Sequence, residues 1–521
     1  MKYGNLRFIK QKVILLLILV SCFSLLSSCS NTSQTVTASL NKIGCSIEPL
    51  GNQSQKSYPI GPISSNGRWL VDKSGKAVIL HGVNVVAKNY PYYPCAFGFS
   101  KSDVSWLHLN GLNLVRLGVL PSGEMPQKGI INQAYINNLM STINLLSNSH
   151  IFVLLDWHQD DYGTYFNDPK TPYRADGMPS WMTVTDNKPN KQTNFPYDYI
   201  TDPALKQAFQ SFWNDDKVKN GVGLQQYYIQ MLQAVVKKVA DNPWVLGYEV
   251  MNEPWPGNNW SACITPNGCP NLDKTELDPF YAKAISAIRS IDRTHMIFIE
   301  PFSLFNFGVP TSISIPKGAK NIGLAFHQYA QSSLGANNVF NYAIKWSNQT
   351  HGALLNTEFS AISNNPSSIT MQTQIADKYL MSWTYWIFDN CDIACSPAKG
   401  TALLLNPYKP PTGSNIDAPV VDTVVRPYPI LISGTPSGIS YNPLNGLFQF
   451  SWSSLKVGSS QNFKNGSITT VIVPKLDYPN GYLVTGSGIK VLSKPCSNQL
   501  VVAQTLVSST LSLTLSPSST C

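Results

Sequence analysis

Between about residues 60 and 430 the chain repeats one pattern, a short β-branched and apolar run followed by a longer stretch of helical or loop character. Eight such runs stand out, at 78–85, 114–120, 151–156, 245–251, 296–300, 322–327, 353–358 and 381–387. They read as strands buried on both faces of a parallel sheet. Between several of them lie segments of helical character, at 133–146, 224–239 and 279–291. Eight strands alternating with helices predict an α/β protein built on a (β/α)8 TIM barrel. An open doubly wound sheet would show the same alternation, but it usually carries a glycine-rich phosphate turn after its first strand, and none stands here.

Two departures from the repeat mark further organisation. The longest interruption, from about 158 to 223, is rich in Tyr, Trp, Asp and Pro, a composition that argues for a functional loop. Beyond Val425-Arg426-Pro427-Tyr428-Pro429 the runs at 448–452, 469–473 and 482–485 are short and alternating or β-branched, divided by Asn-Gly turns, with no helical stretch. They predict a C-terminal antiparallel β-sandwich over 431–521, after a barrel domain over 61–430.

The N-terminus adds a destination. Lys2, Arg7, Lys10 and Lys12 precede an apolar core, which reads as an export signal over 1–28. Leu26-Ser27-Ser28-Cys29 resembles the lipobox of bacterial lipoproteins, which implies lipidation of Cys29 and anchorage at a membrane surface. A Ser/Thr/Asn/Gln-rich tether, 29–60, follows. Exported or cell-envelope residence agrees with a composition low in charge, 13% of 521 residues, and high in aromatics at 11%. The net charge of +9 is scattered without a dense basic stripe, which argues against nucleic acid as a partner. A monomer is expected.

Beyond Cys22 and Cys29 eight cysteines remain, an even number that suggests disulfides in an exported chain. Proximity pairs Cys263 with Cys269 and Cys391 with Cys395, leaving Cys45 with Cys95 and Cys496 with Cys521. Neither close pair has the second ligand pair of a structural zinc site, so no metal and no cofactor is expected.

Candidate chemistry gathers at strand ends. Glu253, in Gly-Tyr-Glu-Val-Met-Asn-Glu-Pro, and Glu358, in Ala-Leu-Leu-Asn-Thr-Glu-Phe, each follow or close a buried run, so both reach the carboxyl end of the sheet, where barrel loops build sites. Paired carboxylates are the minimum equipment for cleaving a glycosidic bond. Taken singly, Asn-Glu-Pro is also compatible with a helix start, and a strand-end Glu with a surface ion pair.

Taken together with Arg116 in Leu-Val-Arg-Leu-Gly, His158 in Asp-Trp-His-Gln-Asp, Asn252, His327-Gln-Tyr329 and Trp386 in Trp-Thr-Tyr-Trp, the order resembles glycoside hydrolase family 5. The endoglycoceramidase branch is the most similar, through His81-Gly-Val-Asn-Val-Val-Ala-Lys88, Leu154-Leu-Asp-Trp-His-Gln-Asp-Asp-Tyr-Gly163, Asp176-Gly-Met-Pro-Ser-Trp181, Gly247-Tyr-Glu-Val-Met-Asn-Glu-Pro-Trp-Pro-Gly257 and the Arg-Pro-Tyr-Pro that leads into the sandwich.

The resemblance implies a retaining mechanism with Glu253 as acid/base and Glu358 as nucleophile, acting on a glycolipid or oligosaccharide. Arg116 would keep Glu358 ionised, and the charge of Glu358 would help to hold Glu253 protonated. Asn252 would bind the sugar 2-hydroxyl, Tyr329 and His327 would position Glu358 and Glu253 respectively, and Trp386, with Trp383 as a rival, would floor the sugar subsite. Lys88 and Asp160 are implied sugar contacts. An apolar slot for acyl chains is expected from Phe302, Leu304, Phe305 and Phe307. Two other readings stay open at this point: an endo-β-glycanase acting on polysaccharide, and a carbohydrate-binding surface lipoprotein without turnover.

Overall fold

The computed structural model describes residues 58–167, 175–218, 221–389 and 399–520. The predicted signal segment, Cys29 and nearly all of the tether lie outside them, as do Cys45, Cys391, Cys395 and Cys521. No helix among the described residues is long and apolar enough to cross a membrane.

Eight parallel strands close into a barrel: β1 His81–Val85, β2 Leu114–Val119, β3 Phe152–Trp157, β4 Val245–Glu249, β5 Met296–Ile299, β6 Ile322–His327, β7 Ala353–Glu358 and β8 Trp383–Tyr385. Each matches one predicted run to within a few residues, and β8 closes on β1 by pairing Trp383 with His81. The predicted helices form at Gln133–Asn148, Leu224–Val239 and Asp278–Arg289. Every residue of these eight strands is buried, because the barrel interior covers one face and the helices the other.

Period-two alternation then decides where polar residues stand. Leu114 is followed on the same face by Arg116, Leu154 by Asp156, Phe298 by Glu300 and Ala325 by His327. The first member of each pair belongs to an apolar layer in the lower barrel, so the polar members form a tier directly above it.

That lower layer is continuous with the C-terminal unit. Leu114, Phe152, Leu154, Leu246, Met296, Phe298 and Leu355 share one apolar cluster with Ile430, Phe448, Trp452, Val471, Leu500 and Leu513. The C-terminal strands form two antiparallel sheets across that core. One has four strands, in the order Thr435–Asn442, Leu447–Ser453, Leu511–Pro517 and Tyr482–Ser487. The other has seven, of which Ser64–Asn66, Trp69–Val71 and Ala77–Val78 come from the N-terminal side of the barrel. Residues 64–78 fall inside the stretch that the sequence pattern gives to the barrel, yet Ala77 pairs with Ile432 and Val78 with Leu431. The predicted run at 78–85 is therefore two strands in two sheets.

The long insertion after β3 folds into short helices, Asp198–Thr201 and Pro203–Trp213 among them. Trp213 Nε1 donates to the backbone of Trp255 at 2.8 Å, fastening the insertion to the loop after β4. Cys263 and Cys269 are disulfide-bonded in that second loop, as expected. Cys95 and Cys496 are disulfide-bonded too, and the partners expected for them lie outside the described residues.

A buried ion pair ties the units laterally. Arg426 meets Asp377, on helix Ser367–Lys378 of the barrel, and its guanidinium lies 5.4 Å from the ring centroid of Tyr441 in the four-stranded sheet. Burial raises the pKa of Asp377 to about 6, and Arg426 opposes that rise. Replacing Arg426 by Leu leaves a buried carboxyl group without its cation, a change that costs on the order of 3–5 kcal/mol. Chemical denaturation of Arg426→Leu is expected to show a loss of that size, and an unchanged midpoint would remove this pair from the contacts that hold the units together.

Candidate active site

Arg116 has no solvent exposure, so each of its five N–H donors needs an acceptor from the protein. Nε and Nη2 form a bidentate pair with Glu249 at 2.9 and 2.8 Å. The second Nη2 hydrogen goes to Asn252 Oδ1 at 2.7 Å, and Nη1 serves Asn84 Oδ1 at 2.9 Å and Glu358 Oε2 at 3.1 Å. Asp156 lies 3.1 Å from Nη2. Burial alone would lower the pKa of Arg116; Asp156 and Glu249 raise it well above the ordinary value. One cation thus binds residues on or just after β1, β3, β4 and β7.

Glu358 reaches this tier through a bulge. The pairing of β7 with β6 shifts register between Asn356 and Glu358, so neighbouring residues 357 and 358 both face the centre. Thr357 Oγ1 contacts Glu249 Oε1 at 3.3 Å, while Glu358 meets Arg116 through Oε2 and accepts from Tyr329 Oη through Oε1 at 2.5 Å.

Glu253 arrives differently. It sits just past β4 with a left-handed φ of 41°, a conformation that side chains other than Gly rarely adopt. Two contacts hold it there: its N–H donates to Glu300 Oε2 at 2.9 Å, and its C=O accepts from Gln159 Nε2 at 3.0 Å. Its carboxyl Oε1 lies 2.7 Å from His327 Nδ1 and accepts from Asn306 Nδ2 at 2.7 Å. The Glu253 pKa is pushed from 4.5 up to about 7 by burial first and by Asp160 next, against His158, Arg116 and Lys88. The sequence predicts a helping role for the charge of Glu358; burial is the first cause. A carboxylate oxygen of Glu253, one of Glu358 and a ring nitrogen of His327 all lie within 4.8 Å of one another.

A second polar group flanks the pair. Lys88 forms an ion pair with Asp160 and lies 3.5 Å from Asp176, and its Nζ sits 4.8 Å from the Trp386 ring centroid. His158 lies nearly parallel to Trp386, 11° between planes and 5.7 Å between centroids. Burial would lower the His158 pKa, but Asp156, 2.7 Å from Nδ1, raises it to about 10. Trp386 is half-buried, whereas its rival Trp383 is wholly buried against His81 and Phe359. Asn252 Nδ2 gives one hydrogen to Gln159 C=O at 3.0 Å and keeps a second.

All ten predicted site residues therefore gather at one end of the barrel. The apolar slot is a correction. Phe302, Leu304 and Phe305 are buried in the core, Phe302 against Trp213 and Phe305 against Phe326, and only Phe307 of the four is partly exposed. The sequence reading also missed Asp156, Glu249, Glu300, Asn306 and Asp176. Glu249 left a signal, a carboxylate inside the apolar run 245–251 that demands a buried cation. Glu300 left another, an acid closing a predicted strand as Glu358 does.

Among the described residues, three groups of carboxylate and imidazole atoms have spacing suited to a divalent ion: His158, Asp160 and Asp176; Glu249, Glu300 and His327; and Glu253, His327 and Glu358. Lys88 already answers the first group, and Arg116 answers Glu249 and Glu358 in the others.

Comparison with known proteins agrees with this geometry. The family model described as cellulase (glycosyl hydrolase family 5) matches residues 71–392, and that of the glycoside hydrolase family 5 C-terminal domain matches 426–512. Endoglycoceramidase I of Rhodococcus hoagii is 28% identical over 462 residues, covering 84% of this chain and 85% of its own. An endoglycoceramidase of Hydra vulgaris is 26% identical over 470 residues, covering 82% and 84%. The solved structure of endo-glycoceramidase II from Rhodococcus sp. superposes with a TM-score of 0.68 at 22% identity, over 86% of this chain and 99% of that one. With one family's pattern running through more than half of its length and the matching C-terminal domain next in order, the protein belongs to glycoside hydrolase family 5.

Proposed function

We propose that this enzyme is a retaining β-glycosidase that cleaves the bond joining glycan to lipid in glycosphingolipids. The observation that carries the mechanism is that a carboxylate oxygen of Glu253 and one of Glu358 lie within 4.8 Å of each other. Retaining glycosidases hold their carboxyl groups about 5–5.5 Å apart, whereas inverting ones leave about 6.5–9.5 Å for a water. The endoglycoceramidases that align with more than four-fifths of the chain support the glycolipid substrate.

Glu358 acts as the nucleophile. Its Oε2 accepts from Arg116 and its Oε1 from Tyr329, which hold the carboxylate in place. It attacks the anomeric carbon while Glu253 passes its proton to the departing lipid oxygen. In the second half-reaction Glu253, now a carboxylate, takes a proton from the water that attacks the same carbon, and Glu358 is released. Asn252 offers its spare N–H to the sugar 2-hydroxyl, and Trp386, with Lys88, His158 and Asp160 beside it, supplies an aromatic and charged wall for the sugar.

We also propose that the enzyme is exported and held at a membrane surface through Cys29. The basic start, the apolar core and the Leu26-Ser27-Ser28-Cys29 run support this. Radiolabelled fatty acid is expected to enter the parent protein and not Cys29→Ala; equal labelling of both would remove the anchor.

Mass spectrometry of products from lactosylceramide in detergent is expected to show free lactose and intact ceramide. Glu358→Gln is expected to lower that turnover by at least about 10³-fold, as loss of a covalent nucleophile does. Cleavage of cello- or mannooligosaccharides with lactosylceramide and glucosylceramide left intact would turn the assignment to an endoglycanase.

The pH profile follows from Glu253. A general acid must be protonated in the free enzyme, and this carboxyl loses its proton near pH 7, so kcat/KM is expected to fall tenfold per pH unit well above about 7. A flat profile from pH 6 to 9 would contradict the acid role.

A further inference from the structure

Beside Glu253 lies a second buried carboxyl group that the reaction leaves unused. Glu300 follows β5 directly and has no solvent exposure. Its Oε2 accepts the backbone N–H of Glu253, but its Oε1 has no hydrogen-bond partner, and neither has His327 Nε2. These two buried atoms lie 3.5 Å apart. Since His327 Nδ1 is 2.7 Å from Glu253 Oε1, a polar chain runs from Glu300 through both ring nitrogens to the Glu253 carboxyl.

The surrounding charges decide where the protons sit. Glu249 on β4, Glu253 just past it, Arg116 on β2, Asp156 on β3 and Glu358 on β7 act on Glu300 or His327, while Tyr281 bonds only the backbone of Glu300. Every N–H of Arg116 is committed elsewhere. Burial, then Glu249 and Glu253, hold the pKa of Glu300 well above the ordinary carboxyl value, and burial lowers that of His327 to about 4. A neutral carboxylic acid therefore faces a neutral imidazole, which has one N–H and one acceptor nitrogen. Because Oε2 of Glu300 already accepts an amide hydrogen, its own proton belongs on Oε1, aimed at Nε2. The imidazole then carries hydrogen on Nδ1 and donates it to Glu253 Oε1, which also accepts from Asn306.

We propose that Glu300 is a positioning residue: as a neutral acid it fixes His327 in the Nδ1–H tautomer and holds the left-handed backbone of Glu253, leaving the transferable proton on Glu253 Oε2. The inference rests on the reading of Glu253 as the acid/base. It gives that group a directed proton, and the carboxylate left after transfer keeps two N–H donors on Oε1 without reorganisation.

Glu300→Gln preserves the pattern, with an amide oxygen for the Glu253 N–H and an amide hydrogen for Nε2, whereas Glu300→Ala removes both. On an alkyl glycoside, whose leaving group needs protonation, Glu300→Ala is expected to lower kcat/KM by at least about 10-fold and Glu300→Gln to recover to within about 3-fold of the parent. On a dinitrophenyl glycoside, whose leaving group needs no proton, both variants should keep kcat/KM within about 3-fold. Nitrogen NMR of histidine-labelled protein should report His327 as Nδ1–H in the parent and in Glu300→Gln, and it decides the point even if the Ala variant fails to fold. An Nε2–H signal in the parent, or a Gln variant as impaired as the Ala variant on the alkyl glycoside, would overturn the role of Glu300. Full activity of Glu253→Gln on that substrate would instead remove the acid/base reading itself; loss there with an inert Glu300→Ala would remove this inference alone.

Discussion

A guanidinium cut off from water has to be answered by the protein, and the arrangement of Arg116 organises the catalytic end of this barrel. Its five N–H donors reach Asn84, Glu249, Asn252 and Glu358, so β1, β4 and β7, together with the segment just past β4, are fixed relative to β2 by one side chain. An uncompensated charge at this depth would be prohibitive, and removing any one acceptor leaves a buried donor unsatisfied. The planar fork suits the bidentate contact with Glu249, which a lysine could not reproduce. The same guanidinium is paired with Glu358, so support of the fold and placement of the proposed nucleophile are one interaction.

Below that tier the barrel is apolar and shares its core with the C-terminal sheets. The division of labour follows from strand alternation. Leu114, Leu154 and Phe298 interlock with neighbours and with the sandwich, while the residues two places on are the polar Arg116, Asp156 and Glu300. A site whose side chains must keep their geometry within a few tenths of an ångström benefits from such a floor, because a close-packed interior deforms little. The three short N-terminal strands in the seven-stranded sheet extend that attachment to the segment entering β1.

The two central glutamates are chemically identical and are made unlike by their neighbours. Glu358 meets a cation and a phenol hydroxyl. Glu253 meets a neutral imidazole and an amide, with Asp160 adding to the cost of its ionisation. The different surroundings suit the proposed division of labour, with Glu253 as the acid and Glu358 as the nucleophile. Burial is the first cause of the raised Glu253 pKa, and Asp160 is the next.

Much of this was legible along the chain, for definable reasons. Eight buried runs separated by helical segments are a local signal that survives folding, so 322–327 and 353–358 appear in the structure with the same bounds. Residues that carry distinctive chemistry at strand ends, Arg116, Glu253, His327 and Glu358, are equally visible there. Partnership was not. That Phe302, Leu304 and Phe305 pack inward, that residues 64–78 pair with a sheet built from residues 428 onward, and that Glu300 stands behind Glu253 are consequences of long-range packing. The sequence by itself determined the strand periods and the supply of reactive groups, because these depend on neighbours in the chain. Only the tertiary structure decided which of those groups share a proton, since hydrogen bonding and burial depend on distances that closing the barrel creates.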